Sequence, residues 1–311
     1  MFTLAVFAGG CGGQPHTTKP LPKAVSGAEE SPLEVPPGKL LAEAEEVTYA
    51  ERSAPRYLGY VLAGDSERVQ EFAGYTNIVE TSQFVIDKIS GYVRDSGLKV
   101  ILWANYNVLK NKTRPDASFV EALRRHRSIV LAVGLQHAEV RDDVLANVAT
   151  IGQHLKKAVP GVQFWLGVPW GHAGSRETIP PEVNSLCIEV CGAPSPKLLS
   201  QVEKGIPLWR DKAAGRPVLI YWQSGFGQSP TWYADGKSST DFYPPECEPG
   251  GIRLLGKLVE DRTLDGLLLN GYVGGKNLGC TIGIRDRKDL VDEVKGLSQK
   301  WRIGARRVHR H

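Results

Sequence analysis

Residues 128–140 read SIVLAVGLQHAEV, an apolar run that ends abruptly in an amide, an imidazole and a carboxylate. Arg124 and Arg125 precede it, and DDVLANVATIGQHLKKAV (142–159) follows with the apolar spacing of an amphipathic helix. The order is strand, polar loop, helix. Working outward, the same order recurs on both sides. YLGYVLAGD (57–65), TNIVETS (76–82) and KVILWANYN (99–107) come before it. QFWLGVPWGH (163–172), NSLCIEVC (184–191), RPVLIYWQSGFGQ (216–228) and LDGLLLNGY (264–272) come after. Helix-period segments separate them; one of these, FVIDKISGYVRDSG, closes on Gly97, a helix C-cap signal. Eight such units predict an α/β chain whose parallel strands close into a single-domain (β/α)8 barrel. In that architecture chemistry sits in the loops at the carboxyl ends of the strands, so Gln136, His137 and Glu139 become site candidates by position.

Successive strand residues face opposite sides. In 184–191 the residues Leu186, Ile188 and Val190 suit a helix-facing layer, which turns Cys187, Glu189 and Cys191 inward. Polar groups recur near the other strand ends as Glu80, Asn105, Gln136, Gln223 and Asn270. Burying such a ring is costly unless water or a ligand fills it. Aromatic residues gather there too: Trp103, Tyr106, Trp165, Trp170, Tyr221, Trp222 and Tyr272. Flat rings interspersed with amides and carboxylates suit sugars, whose C–H faces stack while their hydroxyls need paired donors and acceptors.

The 311 residues carry 38 Lys plus Arg against 34 Asp plus Glu, a net +4, and no basic run interleaved with aromatics. Nucleic acid is therefore not an expected partner. The basic tail 304–311 reads as a solvated terminus. MFTLAVFAGGCGG (1–13) is a short apolar segment that resembles the end of a lipoprotein signal, which makes Cys11 the expected lipidation site and the protein an exported one. Residues 14–56, rich in Pro and Glu and poor in aromatics, read as a disordered linker ahead of a barrel at 57–303. A lipid anchor is the only membrane contact expected.

Several motifs point further. LGYV (58–61), NIVE (77–80), RPVLIYWQSGFG (216–227), PPECEPGGIRLLGKLV (244–259) and DGLLLNGYV (265–273) together resemble the secreted glycoside-hydrolase-like TIM-barrel proteins of bacteria, a broad group. The resemblance implies carbohydrate as ligand or substrate. This chain departs from the group at two places. Gln136-His137-Ala138-Glu139 stands where an Asp-Glu-Pro is common, and Gln223 stands near the position of a familiar glutamate nucleophile.

A glycosidase generally needs two carboxyl groups. Glu139 is expected as acid and Glu189 as base or nucleophile, with Glu80 and Asp65 in reserve. Asn105, Tyr106, Gln136, His137, Trp170, His172, Tyr221, Trp222, Gln223, Asn270 and Tyr272 are expected to line the substrate cleft. The alternative is a non-catalytic carbohydrate-binding or scaffold protein on a barrel that has lost its acid pair. His137, Glu139 and His172 offer metal-ligand types, but no HxH or HExxH spacing is present, so no metal is expected. No P-loop or dinucleotide fingerprint calls for a cofactor either. Cys187 and Cys191 lie four apart on one strand, about 13 Å, too far to bond. Cys247 and Cys280, in loops after adjacent strands, suit a disulfide of an exported protein. A monomer is expected.

Overall fold

The computed structural model describes residues 56–62, 68–105, 115–136, 138–191, 196–223, 251–261, 263–270, 272 and 284–303. The eight expected strands are all present: β1 (Tyr57–Leu62), β2 (Ile78–Thr81), β3 (Lys99–Asn105), β4 (Val130–Gln136), β5 (Gln163–Pro169), β6 (Ser185–Cys191), β7 (Val218–Gln223) and β8 (Gly266–Leu269). Every neighbouring pair is parallel and β1 pairs with β8, so the sheet closes on itself. Seven described α-helices alternate with the strands: α1 (Val69–Phe72), α2 (Ile86–Ser96), α3 (Ala117–Arg125), α4 (Asp142–Ala158), α5 (Pro196–Ala213), α6 (Gly251–Glu260) and α7 (Lys288–Lys300). None of them is long and apolar enough to cross a membrane.

Local sequence explains the helices. In α2 the buried positions Ile86, Ile89 and Val93 form one stripe, and Gly97 ends the helix in the left-handed region at φ 74°. Two acids open α4 and two lysines close it, matching the ends of the helix dipole.

Closure divides the core in two. Outward-facing Leu58, Tyr60, Leu62, Val79, Leu102, Val133, Leu166, Ile188 and Ile220 pack against the helices. Inward-facing Ile78, Ile101, Ala132, Trp165, Cys187, Leu219, Tyr221 and Leu268 fill the barrel, with Tyr57 and Val61 against them. The inward parity expected for Cys187 is observed.

The amino end of the barrel is tied by side chains standing just before even-numbered strands. Asn77 Oδ1 accepts from Leu58 N at 2.9 Å, Asn184 Oδ1 from Phe164 N at 2.9 Å, and Asp265 Oδ2 from Val218 N at 2.8 Å. Each satisfies the first amides of the preceding strand, which the ladder alone leaves open. Asp265 also takes Arg210 Nη1 at 2.7 Å, joining α5 to that end.

Trp165 plugs the interior. It is 1% exposed, packs edge-on to Tyr57 at 5.2 Å, and donates its indole N–H to Gln163 Oε1 at 2.8 Å. Trp165→Ala is expected to lower unfolding stability by about 3–5 kcal/mol, measured by urea denaturation.

Candidate active site

The sheet delivers three polar side chains into the upper interior from alternate strands: Glu80 near the end of β2, Gln136 at the end of β4, and Glu189 near the end of β6. They are 2%, 5% and 4% exposed. Gln136 donates from Nε2 to Glu80 Oε1. One glycine makes room for Glu189, and another makes room for Ile101 beside Glu80. A Cβ on Gly134 would lie 3.7 Å from Glu80 Oε1 and 2.9 Å from Ile101, and one on Gly167 would collide with Glu189 Oε1 and approach Gln136 Cα at 3.0 Å. The two carboxyl groups therefore lie over bare backbone of β4 and β5.

Burial raises the Glu80 carboxyl well above its ordinary range. The Glu189 carboxylate raises it further, against a lowering hydrogen bond from Gln136. Beneath them Cys187 is a buried free thiol, pushed up by burial first and then by the charges of Glu80 and Glu189. Glu80 is thus driven toward its protonated form by burial and by the nearby Glu189 carboxylate.

The other expected site residues distribute as follows. Tyr221 faces the interior and is 4% exposed. Asn270 follows β8, half-buried, with its backbone N–H on Trp222 O at 3.0 Å. Trp170 and His172 form a 3-10 turn after β5. The Trp170 carbonyl accepts from Trp209 Nε1 at 3.3 Å, and His172 Nδ1 accepts from Val140 N at 3.4 Å. Asn105 and Gln223 end β3 and β7, while Tyr106, His137, Asp65, Cys247, Cys280 and Cys11 lie outside the described residues.

Three expectations need correcting. Glu139, expected beside Glu189, has a side chain 53% exposed and ion-paired to Arg141 Nη1 at 2.8 Å, because the chain has already left β4 and no longer obeys its parity. Trp222 is fully buried among the helices, since its neighbour Tyr221 takes the inward position. Tyr272 also joins the outer core, 4.6 Å from the Tyr60 ring, and its hydroxyl donates to Glu71 Oε2 at 3.0 Å.

One aromatic was not singled out for a role. Trp103 shares the inward parity of Ile101, stands beside Gly134 in the register, and keeps a buried indole N–H without a partner among the described residues. Alternation along KVILWAN was the available signal. Among the described residues no group of three His, Cys, Asp or Glu could hold a metal ion.

No family model and no curated protein matches the sequence. Solved structures do. A β-glucuronidase from Ruminococcus gnavus, in complex with D-glucuronic acid, aligns with a TM-score of 0.57 at 12% identity over 79% of this chain and 49% of that one. The same enzyme with D-glucaro-δ-lactam gives 0.56 at 12% identity over 79% and 49%. The likeness is one of fold, and this chain spans about half the length of the structures it matches. The chain shares with them the (β/α)8 barrel.

Glu80 yields a pH test. A carboxyl raised on folding contributes stability that is complete below the ordinary glutamate range, about 4.3, and is lost as pH rises above it. Glu80→Gln, which mimics the protonated group, is expected to melt higher than the parent at neutral pH, with the difference vanishing near pH 4. Parallel melting curves for the two proteins that keep a constant gap across pH would contradict this.

Proposed function

We propose that the barrel binds a carbohydrate at the carboxyl end of its strands and hydrolyses a glycosidic bond there, with Glu80 as proton donor and Glu189 as base or nucleophile. One observation carries the reading: two carboxyl groups share the upper interior, and one of them is held toward the protonated form by the other and by burial. Glycoside hydrolysis asks for that division, an acid to protonate the leaving oxygen and a carboxylate to attack or to activate water. Gln136 orients Glu80, and Trp103 and Tyr221 supply inward aromatic surface for a sugar ring. The carbohydrate ligands of the structural neighbours agree with this choice of substrate class.

A second reading is a carbohydrate-binding or scaffold barrel without catalysis. It is favoured by the near-complete burial of both carboxyls, as in a polar plug. The purified chain incubated with a polysaccharide panel separates the two, reading both released reducing ends and retention on insoluble substrate. For the enzyme, Glu189→Gln and Glu80→Gln each lower turnover by about 10²–10⁴-fold. Glu139→Gln changes it little, since its exposed pair with Arg141 is worth about 0–1 kcal/mol. Retention without release in the parent protein selects the binder.

Export on a lipidated Cys11, with residues 14–56 as spacer and a Cys247–Cys280 disulfide, belongs to the same proposal. Cys11→Ser is expected to move the protein from the membrane fraction to the soluble one.

A further inference from the structure

On the helical layer, α1 and α7 border a cavity of about 690 Å³ lined in part by Gln70, Glu71, Tyr75, Lys295, Gln299 and Arg302. Both helices run against the strands, so their carboxyl ends lie toward the amino end of the barrel, opposite Glu80 and Glu189. Helix α7 finishes in a Schellman arrangement. Ile303 N donates to Ser298 O at 2.9 Å and Arg302 N to Gln299 O at 3.1 Å, with Arg302 at φ 56°. Glycine is the usual residue at that place, because a Cβ is crowded in the left-handed region. An arginine there costs stability that glycine would spare, and strain of this kind points to a use for the side chain.

The charges around the cavity suggest the use. Lys295, on α7, and Arg302, just past its end, both line the cavity. Lys295 Nζ lies 5.4 Å from the centre of the Tyr75 ring. Neither cation has an ion pair among the described residues. The acid of the lining, Glu71, is already matched by Arg68 at 2.6 Å, by the Tyr272 hydroxyl at 3.0 Å and by Arg285 at 3.9 Å. A concave surface of mixed polar and apolar lining carries two positive charges with no ion pair among the described residues, one of them resting over the Tyr75 ring.

We propose that this cavity is an oxyanion-binding site in which Lys295 and Arg302 hold the phosphate or carboxylate of a small molecule, with the amides of Gln70 and Gln299 available to its neutral groups. Guanidinium and ammonium donors to an oxyanion form the stronger, charge-assisted class of hydrogen bond.

The test uses the full chain, with inorganic phosphate, glucuronate and glucose as probes. Binding is read by thermal shift and by tryptophan fluorescence, Trp301 being next to Arg302. At least one anion is expected to raise the melting temperature and change the emission, while glucose does neither; the tighter anion identifies the source of the charge. Lys295→Ala and Arg302→Gly each weaken that binding about tenfold or more. Arg302→Gly is also expected to raise the melting temperature of the unliganded protein, because glycine relieves the left-handed backbone, so its loss of anion binding is not a loss of folding. Glu80→Gln leaves anion binding unchanged, which keeps this site distinct from the barrel mouth. The proposal is overturned if neither anion is bound, if glucose matches them, if both cation variants bind as the parent does, or if Glu80→Gln abolishes the response.

Discussion

Closure of the sheet is the constraint from which the other features follow. Once β8 pairs with β1, no strand has a free edge, and each has one face toward the helices and one toward the barrel axis. The first is lined with apolar residues, aliphatic and aromatic. The second must be filled from a limited volume, and the chain alternates bulk with absence there: Trp165 and Tyr57 beside Gly134 and Gly167. The Glu189 carboxyl lies inside because the space that a Cβ would occupy on Gly167 is given to it, while Gly134 leaves room for Ile101.

The two ends of the barrel treat polar side chains differently. At the amino end Asn77, Asn184 and Asp265 each satisfy a backbone amide of the preceding strand, so a polar side chain there completes a hydrogen bond that the fold requires. At the carboxyl end Glu80 and Glu189 do the reverse. Burial and the Glu189 carboxylate raise the cost of ionising Glu80, offset in part by the amide of Gln136. Polar residues kept at such a cost in a well-packed barrel stand apart from the hydrogen-bonded polar groups of the other end.

Legibility in the sequence followed periodicity. Glu189 and Cys187 could be oriented because Leu186, Ile188 and Val190 alternate with them without interruption. Glu80 was read as a polar strand end held in reserve, since the four residues of β2 are all buried and offer no contrast between faces. Glu139 was misplaced for the opposite reason: two residues past the strand there is no parity left, and Arg141 holds the side chain at the surface. Trp222 and Tyr272 were misplaced by counting aromatics near strand ends without asking which face each takes, although adjacent Tyr221 and Trp222 cannot both face inward.

From its residues alone this chain determines eight strand-helix units, the closed parallel barrel they imply, and the interior parity of its most regular strands, because those depend on local hydrophobic period and on steric rules shared by all chains. Tertiary structure decided that Glu80, Gln136 and Glu189, separated by more than fifty residues at each step, form one cluster, and that Lys295 lies over the Tyr75 ring with Arg302 lining the same cavity. Contacts of that kind depend on how strands stagger around the barrel and on where neighbouring glycines leave space, and neither is written in any single segment.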